Sequence, residues 1–152
     1  MHSKFESAIS LFQSGQLNKA NKICSEILKD EPNNFEILHL LGIISFQEKK
    51  YDLSVEYIKK ALKINPEQAE ANNNFGIVLK ELKKFEKASE SFNKAIKIDS
   101  NCAQAYNNLG TILHKLDKTE VAIDNYKKAI SLKTNFAEAI NNLGNACGNL
   151  TE

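Results

Sequence analysis

The sequence contains no arginine and no tryptophan, and its 152 residues include one methionine, two prolines and six glycines. Without arginine, the chain lacks the planar fork best suited to bidentate recognition of phosphate or carboxylate. Its 20 basic residues are all lysine and face 19 acidic ones for a net charge of +1. That balance builds no field to recruit nucleic acid or an anionic membrane. The three cysteines, Cys24, Cys102 and Cys147, are odd in number and share no CxxC spacing, which excludes a disulfide framework or a zinc module. They read as small packing residues in a reducing compartment. No run approaches the ~18 apolar residues of a membrane-spanning helix, and Met1-His2-Ser3-Lys4-Phe5-Glu6 opens no apolar signal core. The expected location is cytoplasmic.

Catalytic signatures are missing too. No dinucleotide-binding GxGxxG, P-loop or nucleophile elbow occurs. His2, His39 and His114 have no carboxylate or cysteine at ligand spacing on their own helices. The expectation is a protein without catalysis, metal or cofactor. What remains is ordinary for a folded chain: 42% hydrophobic and 26% charged residues exclude wholesale disorder.

What the chain does have is a period. Gly42, Gly76, Gly110 and Gly144 recur every 34 residues, as do Ala61, Ala95 and Ala129, and the pair Pro32 and Pro66. Asn73, Asn107 and Asn141 form another column in the same register, with Asn74, Asn108 and Asn142 beside it. Within a unit the apolar spacing is helical: Phe75, Val78, Leu79 and Leu82, then Phe85, Ala88, Phe92, Ala95 and Ile96. Polar breaks separate the two stripes, at Lys83-Lys84 and, in other units, at Gln13-Ser14-Gly15 and Glu48-Lys49-Lys50. Each unit is therefore expected to be two antiparallel helices, with the glycine and alanine columns permitting their close approach.

A unit of this length with Leu41-Gly42, Tyr51, Ala61 and Pro66 resembles the tetratricopeptide repeat. Phe75-Gly76, Phe85, Ala88, Phe92 and Ala95 carry the resemblance through the next unit, and Leu109-Gly110, Ala122, Tyr126 and Ala129 through the one after. It implies an all-α, right-handed solenoid of four repeats, at approximately residues 1–34, 35–68, 69–102 and 103–136, plus one extra C-terminal helix over 137–152, in a single domain. In that extra helix Ile140, Leu143, Ala146 and Leu150 are expected to lack a following helix.

The same resemblance puts the first helices of successive units on a concave surface. The positions not used for packing within a repeat there are His39 and Ile43, then Asn73, Asn74 and Ile77, then Asn107, Asn108 and Thr111, then Asn141, Asn142 and Asn145. Glu36, Glu70, Gln104 and Glu138 precede them. Asparagine disfavours helix interiors, yet its amide can donate to and accept from an extended peptide backbone. The expected function is a protein–protein interaction scaffold holding an extended segment of a partner protein in this groove. Bridging between neighbouring repeats is the alternative use of the amides. The ladder is similar to that of the O-linked N-acetylglucosamine transferase family, which implies Asn74, Asn108 and Asn142 as the backbone-binding column and raises the alternative of a substrate-recruiting arm of a larger enzyme. A self-assembling scaffold using the open C-terminal helix is the third reading. A carboxylate clamp is not expected, because Lys80 and Lys115 lie a helical turn or more beyond the amides.

Overall fold

A computed structural model describes residues 2–148, and among these every regular element is a helix. Two compact units divide the chain at Glu67 and Gln68. The first holds α1 (His2–Gln13), α2 (Leu17–Asp30), α3 (Phe35–Gln47) and α4 (Tyr51–Ile64). The second holds α5 (Ala69–Glu81), α6 (Phe85–Ile98), α7 (Ala103–Lys115), α8 (Thr119–Leu132) and α9 (Ala137–Gly148). Leu150 and the remainder of the expected final helix, 149–152, lie outside the described residues.

The turns repeat as faithfully as the helices. The first helix of each pair ends in a left-handed residue: Gly15 (φ 74°), Lys49 (60°), Lys83 (56°) and Asp117 (59°). The next N–H reaches back to close the helix in every case, Gln16 to the Leu11 carbonyl, Lys50 to Ser45, Lys84 to Leu79 and Lys118 to Leu113. This is the Schellman termination. Only Gly15 takes that conformation without a steric cost, because it has no Cβ. The later second helices run out instead into extended residues, Asn65, Asp99 and Lys133. Asn34 then starts α3 by accepting the Ile37 N–H on its side-chain oxygen at 3.0 Å.

The glycine column marks where paired helices touch. A Cβ built on Gly76 would stand 2.5 Å from Phe92 Cε1, and one on Gly110 would stand 2.7 Å from Tyr126 Cε1. Gly42 faces Ile58 in the same way. Ser54, 34 residues after Ala20 and 34 before Ala88, is buried and donates its hydroxyl to the Gly42 carbonyl at 2.7 Å. Each unit has its own core. Ala8, Ala20, Cys24, Ile27, Leu41 and Ile44 cluster in the first, and Leu79, Phe92, Leu109 and Ile112 in the second.

The end of the second unit differs from this pattern. A Cβ on Gly144 would meet nothing within 4 Å, and Ile140 is exposed while Leu143 is half-buried. Ala146 is fully buried, against Ala122, Ile123 and Tyr126 of the preceding helix α8. The packing reading of the cysteines needs correction: it fits Cys24, which is buried, but Cys102 is half-buried and Cys147 is exposed on α9.

Candidate peptide-binding groove

An amide inside a protein must be paired, because stranding it unbonded costs about 1–3 kcal/mol. Asn73, Asn107 and Asn108 are buried in the second unit, so their partners decide what they can do for a ligand. Asn108 Nδ2 donates to Asn73 Oδ1, and Asn142 Nδ2 donates to Asn107 Oδ1, both at 3.0 Å. Each bond spans 35 residues. The second amide of one pair thus reaches back to the first amide of the preceding pair, tying α7 to α5 and α9 to α7. Asn107 also donates through Nδ2 to Glu138 Oε1 at 3.0 Å, so both ends of its fully buried amide are engaged with α9.

The other expected positions fall around these brackets. Asn74 and Ile77 on α5, Thr111 on α7 and Asn142 on α9 are half-buried, whereas Asn141 and Asn145 on α9 are exposed. Thr111 donates its hydroxyl to the Asn107 carbonyl at 3.0 Å and shares a hydrogen bond with the Tyr126 phenol. Burial pushes that phenol above the usual tyrosine range; the bond to Thr111 opposes the shift and the nearby charge of Glu138 adds to it. His39 and Ile43 belong to α3 of the first unit, where both are half-buried and the His39 ring stacks on Phe35 at 5.8 Å between centroids. Among the described residues no group of three or more His, Cys, Asp or Glu is placed to hold a metal, and no helix is long and apolar enough to cross a membrane.

Two features escaped the sequence reading. The direction of the amide brackets is one, although bridging itself was an expected alternative. The other is the bond that orients Glu138. Its column, Glu36, Glu70, Gln104 and Glu138, was visible at the 34-residue period, but nothing in that column distinguishes Glu138 from Glu70.

A model of the tetratricopeptide repeat matches residues 35–68, and a model of the TPR repeat matches 78–117 and 112–150. The chain belongs to the tetratricopeptide-repeat family. Its second helices, glycine column and Schellman turns are thus those of tetratricopeptide units, a fold that builds protein-interaction scaffolds. Among solved tetratricopeptide-type structures, MamA superposes with a TM-score of 0.86 at 26% identity, over 95% of this chain and 84% of that one. The first TPR of Spaghetti (RPAP3), solved bound to an HSP90 peptide, gives a TM-score of 0.75 at 26% identity, over 78% of this chain and 94% of that one. The UDP-N-acetylglucosamine–peptide N-acetylglucosaminyltransferase of Caenorhabditis elegans is 41% identical over 46 residues, which is 30% of this chain and 4% of that protein. This chain therefore matches only a small fraction of that transferase.

Proposed function

We propose that this chain is a noncatalytic scaffold holding an extended segment of a partner protein along the amide-lined first helices of its second unit. The observation that supports this most is the regular row of amides on α5, α7 and α9, set at one phase by bonds between successive first helices. The bracketed amides hold the row in place, and the more open Asn74, Asn141 and Asn145 beside them turn their own amides to the ligand. Each bond to a peptide backbone contributes about 0.5–1.5 kcal/mol net, so several act together with little demand on side-chain sequence. The Spaghetti (RPAP3) domain, bound to an HSP90 peptide, is a precedent for peptide binding on this fold.

The test is capture from lysate on the wild-type chain and on an Asn74→Ala, Asn141→Ala, Asn145→Ala variant, with circular dichroism confirming that both are folded. Asn108 and Asn142 are left intact because their loss would strand the buried oxygens of Asn73 and Asn107. Proteins held by wild type and lost from the variant support the groove as the binding surface. Equal capture by both overturns it. A second reading, favoured by the local match to the C. elegans transferase, makes the chain a substrate-recruiting arm of a larger enzyme. Sequencing the native reading frame past Glu152 tests it: a catalytic domain downstream supports the arm, and an immediate stop removes it. Light scattering over a concentration series tests the self-assembly alternative, which a constant mass of 17.0 kDa would eliminate.

A further inference from the structure

Glu138 stands in the first turn of α9 and is exposed. Acids are common in a first turn because the helix N-terminus is electropositive, and Glu36 and Glu70 occupy the same place in α3 and α5. Glu138 has something further. The fully buried amide of Asn107 donates to its Oε1 across from α7, and that amide is itself held by Asn142. A surface carboxylate normally pays rotamer entropy before it can pair with a cation. Here one oxygen is already fixed by a buried donor, and a carboxylate offers about four acceptor sites in all.

Among the described residues no cation pairs with Glu138. The ion pairs there include Lys50–Glu48, Lys60–Glu56 and Lys80–Glu81. Lys80 and Lys115, the lysines of α5 and α7, lie six and seven residues beyond Asn74 and Asn108. Around the amides the formal charge is therefore negative, from Glu70 and Glu138, with neutral Gln104 between them in the column.

We propose that Glu138, oriented by Asn107, is the specificity-determining anchor of the groove and takes a lysine or arginine side chain of the bound segment. Rotamer cost falls on the ligand alone, because the carboxylate is in place beforehand. An acidic segment meets like charge at the same point and is rejected. This inference rests on the peptide-binding reading above and adds the chemistry of the segment: extended and basic.

The test uses three fluorescein-labelled Ser/Gly peptides of equal length, bearing lysine, glutamine or glutamate at matching positions. Binding is read by fluorescence anisotropy at low salt on the full chain. Wild type is expected to bind the lysine peptide about 3–10-fold more tightly than the glutamine peptide, and the glutamate peptide most weakly. In Glu138→Gln the side chain still accepts from Asn107, so thermal melting stays unchanged; affinity for the glutamine peptide is retained while the lysine preference disappears. A lysine preference that survives in Glu138→Gln, or no preference in wild type while the glutamine peptide binds, overturns the anchor and leaves the groove standing. If none of the three peptides binds wild type, peptide binding by the groove falls and the anchor falls with it.

Discussion

Cys24 shows at the scale of one residue how packing becomes chemistry. Its side chain is fully buried among Ala8, Ala20, Ile27 and Leu41, and burial pushes the thiol from 9.0 up to about 11 because a thiolate there would lose its hydration. In the unfolded chain the thiol ionises near its ordinary value while the folded form stays protonated. Stability is therefore unaffected below pH 9.0 and falls as pH rises from there toward about 11. Urea unfolding across that window should show a smaller decline for Cys24→Ala than for wild type; parallel declines would remove the thiol as the cause. The sequence made Cys24 legible as a packing residue but could not separate it from Cys147, which is exposed. The two differ only in whether a neighbouring helix covers them.

Among elements, the glycine column is where sequence and packing agree most closely. Gly42, Gly76 and Gly110 lie under Ile58, Phe92 and Tyr126, as the close approach of paired helices requires. Gly76→Ala should destabilise by about 1–3 kcal/mol, because the new methyl forces the Phe92 ring to move within a packed site. Gly144→Ala has open space around it and should stabilise by about 0.5–1 kcal/mol through helix propensity alone. Denaturant midpoints of the two variants would move in opposite directions. A common direction would show that the column does not act through contact between paired helices. The period identified all four glycines as equivalent, and only the presence or absence of a partner side chain divides them.

For the molecule as a whole, stability in repeat proteins is close to a sum of local terms and neighbour interfaces. Elements covered on fewer sides then open at lower free energy. Helix α9 exposes Ala137, Ile140, Asn141, Gly144 and Asn145, whereas α7 buries Ala105, Asn107, Asn108, Leu109, Gly110 and Ile112. Amide hydrogen exchange should accordingly be faster across α9 than in α7. Equal protection of the two would mean that the chain opens as one cooperative body. The same gradient bears on function: Glu138 lies on the more exposed helix and is oriented from the more buried one, through Asn107.

The sequence by itself determined the repeat, the helix pairs, the glycine column and the family, because each is written at a fixed spacing along one chain and burial follows the phase of a helix. It also marked the amide columns and the acidic column beside them. Only the tertiary structure decided which amides are spent in bracketing neighbouring helices, in which direction they donate, and which acid they orient. Those bonds join Asn73 to Asn108, and Asn107 to both Asn142 and Glu138, across successive first helices. Their existence depends on how far one helix is rotated against the next, and no periodicity within a single helix carries that angle.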